Sequence, residues 1–111
     1  MLRISPTGEI ELTRGDTAYL EIEINNEVTG EAYTIGRGDK LTLSLKKSVY
    51  DETPVFTKTI QGNNVFNIAP EDTSSLSFLK YWYDVQLTTS GGDVYTVVEP
   101  SIFRILQEVT S

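Results

Sequence analysis

Cysteine and histidine are both absent from this sequence. Without thiols there is no disulfide framework and no thiolate nucleophile, a composition compatible with a reducing compartment. Without imidazole, Ser-His-Asp and Cys-His nucleophile systems, the usual proton shuttle at neutral pH and ordinary zinc sites are removed. Long apolar runs are missing too. No stretch approaches the ~18 apolar residues of a membrane span, and the segment from Met1 to Pro6 lacks the apolar centre of a signal peptide. The expectation is a chain neither exported by a visible signal nor anchored, with no membrane partner. Basic residues are scarce: 9 Lys and Arg stand against 16 Asp and Glu, a formal charge of −7. Neutralising phosphates needs clustered cations, and Lys46-Lys47 is the only adjacent basic pair, so nucleic acid is not an expected partner. The glycines of Gly36-Arg37-Gly38 and Gly91-Gly92 lack the residues that complete a phosphate loop. No cofactor is expected.

What the sequence has is apolar residues alternating with a period of two, the pattern of half-buried strands. Residues 17–25 are the clearest case, with Ala18, Leu20, Ile22 and Ile24 facing one way and Tyr19, Glu21, Glu23 and Asn25 the other. Residues 40–46 repeat it with Leu41, Leu43 and Leu45, and residues 80–88 with Tyr81, Tyr83, Val85 and Leu87. Shorter strands are expected at 9–13 and 55–60, both at sheet edges, and at 65–69, 94–98 and 102–109. Ser90-Gly91-Gly92-Asp93 signals a hairpin before 94–98, and Pro100 separates the last two segments by a kink, a bulge or a change of sheet. The segment 70–76 opens with Pro70-Glu71-Asp72, which suits the first turn of a short helix. About eight strands in a chain of 111 residues predict one all-β domain, an antiparallel β-sandwich with a closed barrel as the alternative.

Candidate chemistry is sparse. Glu9/Glu11 and Glu21/Glu23 each put two acids on one strand face, but acids alternating with buried aliphatics describe an exposed face, whereas glycosidases need two carboxyls across a cleft. Asp51-Glu52 and Glu71-Asp72 lack the dense oxygen spacing of a calcium loop. No catalytic or metal-ligating residue is assigned, and the chain is expected not to be an enzyme. Arg-Gly-Asp occurs twice, at Arg14-Gly15-Asp16 and Arg37-Gly38-Asp39. The second copy is similar to the integrin-recognition tripeptide, a role that requires an exposed loop tip. The competing reading is a Gly-Asp turn that reverses the chain just before a strand. Among aromatics, Trp82 points away from Tyr81 and Tyr83, making it a candidate contact residue, with Tyr19 and Tyr95 as secondary members of such a patch.

Taken in order, several segments resemble a known family. Leu12-Thr13-Arg14-Gly15-Asp16-Thr17 leads into an alternating strand. Phe66-Asn67-Ile68-Ala69-Pro70-Glu71-Asp72 precedes Tyr81-Trp82-Tyr83-Asp84-Val85-Gln86-Leu87, and the chain finishes with Gly92-Asp93-Val94-Tyr95 and Phe103-Arg104-Ile105-Leu106. This succession resembles the small immunoglobulin-like domains of phage and prophage tail and baseplate proteins, including the N-terminal domain of upper-baseplate proteins. It departs from them at Phe78-Leu79-Lys80, where such domains often carry a glycine. The resemblance implies an immunoglobulin-like β-sandwich that binds other phage structural proteins or copies of itself, assembles in the host cytoplasm and ends in the virion. It carries over no catalytic residue. The alternative is a cell-surface adhesion or carbohydrate-binding β-sandwich module, which predicts an exposed Arg37-Gly38-Asp39.

Overall fold

The computed structural model describes residues 2–4, 8–25, 28–76 and 80–107. Among them the elements run β1 (Leu2–Ile4), β2 (Ile10–Thr13), β3 (Ala18–Glu21), β4 (Lys40–Lys46), β5 (Phe56–Gln61), β6 (Val65–Ile68), α1 (Pro70–Thr73), β7 (Lys80–Thr88) and β8 (Val94–Leu106). The protein is all-β, with a single helical turn described.

The strongest period-two segments make the centre of the fold. β4 and β7 pair antiparallel with Leu41 opposite Leu87, Leu43 opposite Val85 and Leu45 opposite Tyr83. Opposed residues share a face, so this register puts six large side chains on one surface, and all six are buried. Around this pair the larger sheet has the order β1-β2-β8-β7-β4-β5, and β3 and β6 form a second, antiparallel pair. Ala18, Leu20, Phe66 and Ile68 of the second sheet join Ile10, Leu12, Phe103 and Ile105 of the first in one continuous core. The strands thus divide between two sheets instead of closing one cylinder.

Several details differ from the sequence reading. The strand expected at 17–25 has a regular ladder only over β3, although Ile22 stays buried and Ile24 half-buried as its alternation requires. Ile24 and Asn25 instead begin a hairpin, in which Asn25 bridges Ala32 and the Tyr33 amide donates to the Ile24 carbonyl at 2.7 Å. The segment 9–13 is not an edge: β2 has β1 antiparallel on one side and β8 parallel on the other. The expected segments flanking Pro100 are one 13-residue strand, β8, whose register against β7 shifts twice. Tyr83 faces Ser101 but Val85 faces Val98, which leaves Glu99 and Pro100 in a bulge, where a proline costs the ladder little. Residues 108–109 of the expected last strand, and Phe78 and Leu79, lie outside the described residues. The expected helix at 70–76 shortens to α1, with Pro70 at its start and the Ala69 amide donating to Asp72 Oδ2 at 2.8 Å.

Polar contacts tie the margins, one between the two sheets and one within the larger sheet. β5 is the terminal strand of its sheet, as expected, and turns Lys58 inward between the half-buried Phe56 and Ile60. The Lys58 ammonium meets Asp72 Oδ2 at 2.7 Å and also donates to the Asn67 carbonyl, joining β5 to β6 and α1. An inward charge on an edge strand also discourages a foreign strand from pairing there. Burial alone would raise the Asp72 carboxyl, but the Lys58 ammonium and the Ala69 amide outweigh it and hold the group below its ordinary range. On the other flank the Tyr83 hydroxyl donates to the Gly8 carbonyl at 2.6 Å while its ring meets Phe103 edge-on at 5.9 Å.

Phe66 is the fully buried aromatic that the second sheet contributes to this core. Phe66→Ala is expected to lower unfolding free energy by about 3–5 kcal/mol, read as a lower urea midpoint with an unchanged slope.

Candidate functional site

Both Arg-Gly-Asp segments are turns, and each ties down a neighbour. In the first, the Asp16 amide donates to the Thr13 carbonyl at 3.1 Å, Gly15 takes a φ of 85°, and its amide donates to the buried Thr73 hydroxyl at 2.9 Å. In the second, the Asp39 amide closes a turn on the Gly36 carbonyl at 3.1 Å. Arg37 and Gly38 are exposed, but Asp39 is 5% exposed. Its Oδ2 accepts from the Tyr33 hydroxyl at 2.6 Å and the Gly36 amide at 2.8 Å, and its Oδ1 accepts from the Ser90 amide at 3.0 Å. A recognition tripeptide needs a carboxylate free to meet its receptor, and this one is spent inside the domain. The geometry is that of the Gly-Asp turn, and Asp39 is a clasp between the segment before β4 and the β7–β8 hairpin.

Electrostatics follow the same contacts. The Tyr33 hydroxyl and the Gly36 amide hold Asp39 below its ordinary carboxylate range, against a smaller opposing effect of burial, and Ser90 adds to them. Donating to that carboxylate, with burial and the nearby negative charge, raises Tyr33. Burial also raises Tyr83.

Beside this clasp the two sheets part. In the β7–β8 hairpin Tyr95 stands opposite Leu87, so both side chains lie on the inner face of the larger sheet. Leu87 is buried, whereas Tyr95 is 54% exposed because the inner face extends beyond its cover. The opening is a groove of ≈ 530 Å³ whose walls include Glu23, Ile24 and Tyr33 on one side and Leu87, Tyr95 and Val97 on the other. Among the described residues the lining holds one carboxylate, two tyrosines and several aliphatics, and Glu21 is not part of it. The groove therefore offers an amphipathic wall with a single lining carboxylate, Glu23, among the described residues.

The three aromatic candidates do not form one patch. Trp82 lies on the outer face of the larger sheet, opposite Lys46 and Ile102, half-buried with the Lys80 ammonium 5.6 Å from its ring centroid. Tyr95 belongs to the inner face, and Tyr19, 65% exposed, to the outer face of β3. Strand parity separates them, since neighbouring positions point to opposite sides. Tyr33 is the residue that sequence reading missed. It follows a hairpin bend with no alternating pattern around it, and no local signal marks it as the partner of Asp39.

Two outcomes follow from the clasp. A Cβ on Gly38 would stand 2.7 Å from the Ser90 Cβ, so Gly38→Ala is expected to destabilise by about 1–2 kcal/mol in thermal or urea melts, with partial recovery in Gly38→Ala/Ser90→Gly. Because folding lowers the Asp39 and Asp72 pKa values, their contribution to stability is complete above the ordinary Asp value of about 3.9 and is lost as pH falls through the lower folded values. Asp39→Asn should melt below the unaltered chain at neutral pH, and that gap should narrow as a pH series descends below about 4.

In comparisons with known proteins, no family model matches the chain and no curated protein matches it.

Proposed function

We propose that this chain is a non-catalytic structural protein of a phage or prophage tail or baseplate, an immunoglobulin-like β-sandwich that acts by docking to other subunits. Strand order supports the finer fold reading. β8-β7-β4-β5 is the order of strands G, F, C and C′ in a variable-type immunoglobulin sheet, and the antiparallel β3-β6 pair corresponds to B and E. Pairing of β2 with the last strand, and a helical turn between β6 and β7, are compatible with that scheme.

The observation that carries the functional reading is the open strand edge beside an amphipathic groove. β3 is paired on one side only among the described residues, and β8 has β2 beside it only from Phe103 to Leu106. Unpaired backbone groups next to exposed Tyr19 and Tyr95 are what a neighbouring subunit can satisfy and cover. The segmental resemblance to small phage domains supplies the kind of assembly. The adhesion alternative draws no support from Arg37-Gly38-Asp39, whose carboxylate is internal.

Peptide mass spectrometry on particles purified from an induced source strain tests this. The chain is expected at a fixed ratio to tail proteins. Its absence from both intact particles and tail-assembly intermediates overturns the proposal.

A further inference from the structure

Resting on that assembly reading, we infer that the open edge of β3 receives an extended, cationic segment of a different polypeptide, with its apolar side chains seated in the groove. The backbone geometry identifies the edge. The Ile22 amide donates to the Asn64 carbonyl at 2.9 Å, and the Asn64 side chain returns a bond to the Ile22 carbonyl at 3.0 Å. Even-numbered residues of this segment therefore direct their backbone groups toward β6, and the alternation of an antiparallel ladder directs those of Tyr19, Glu21 and Glu23 the other way. No described strand meets them there.

The opposite wall is built differently. β8 carries two register shifts and Pro100, devices that spoil an edge for continuous pairing. Its contribution is side-chain surface, chiefly Tyr95 and Val97. A strand added to β3 would turn alternate residues inward, on the same side as Leu20, Ile22 and Ile24, to meet Leu87, Tyr95 and Val97.

Charge selects the occupant. The other residues of the added strand would stand about 4.5–5.5 Å, Cβ to Cβ, from the outward row of β3. That row is Tyr19, Glu21 and Glu23, all exposed. Lysine or arginine opposite two carboxylates and a tyrosine face is favourable by ion pairing and by cation–π contact. A second copy of the same strand is disfavoured, because antiparallel self-pairing sets Glu21 and Glu23 against their own kind in molecules that each carry −7. The structure thus favours a basic, alternating partner over self-association.

Two capped peptides, one alternating lysine with valine and the other glutamate with valine, serve as probes. Each is titrated into the full chain while backbone amide resonances are followed. The lysine peptide is expected to saturate, shifting the amides of Tyr19, Glu21 and Glu23 together with those of Tyr95 to Val97, and to bind at least about tenfold more tightly than the glutamate peptide. Glu21→Lys/Glu23→Lys should reverse the preference while melting at the temperature of the unaltered chain, and Tyr19→Ala should weaken the lysine peptide alone. Equal affinity, no saturable binding, or shifts confined to the outer edge of β5 overturn the inference. So does a concentration-dependent dimer that shifts the same amides, since it assigns the edge to a second copy. Failure here with the chain present in particles removes only the cationic-strand inference. Success with the chain absent from particles removes the phage reading and leaves the edge preference standing.

Discussion

Parity is the constraint on which this molecule depends. β4 against β7 sets three leucines across from Leu87, Val85 and Tyr83, and a slip of one residue would send all of them to solvent. The mean stability of a small domain leaves no room for such an error, so the register is fixed by burial and everything else is hung from it. β8 follows because Phe103 and Ile105 complete the same inner face, and β2 follows because Ile10 and Leu12 extend it by parallel pairing. The second sheet needs only four buried apolar residues of β3 and β6 to cover the centre. Because it is narrow, it leaves part of the larger sheet's inner face open.

Margins of such a fold expose unpaired backbone, and the flanks of β5, β8 and β3 are treated differently. On β5 the inward Lys58 is satisfied by Asp72 and the Asn67 carbonyl, so the edge carries a built-in charge that a foreign strand would have to accommodate. On β8 the bulges and Pro100 interrupt the ladder. β3 has neither device. Its outward row is Tyr19, Glu21 and Glu23, and no described strand pairs with that side. The contrast sets the β3 flank apart from those of β5 and β8.

Much of the fold is legible from side-chain alternation alone. The bounds of β4 and β7 agree with the sequence pattern because both strands are buried on one face along their whole length. β1 escapes because three residues cannot establish a period, and the parallel β2–β8 pair escapes because its partners lie far apart along the chain. Pro100 misleads in the opposite direction: a residue that reads as a boundary is tolerated inside a strand where a bulge already breaks the ladder. The site is less legible than the fold. Turn chemistry at Arg37-Gly38-Asp39 is readable from Gly-Asp, but the burial of Asp39 depends on Tyr33 and on Ser90, neither of which the local sequence connects to it. Trp82 stands out by size, yet its position on the outer face, under Lys80, separates it from the seam where the tyrosines gather.

The Asp39 carboxylate touches both banks of that seam: through Tyr33 it holds the bank that begins at Ile24, and through the Ser90 amide it holds the hairpin that carries Tyr95. One small side chain, shut away from solvent, therefore sets the gauge of an opening it does not line. The width of the seam is thus tied to a residue outside its lining.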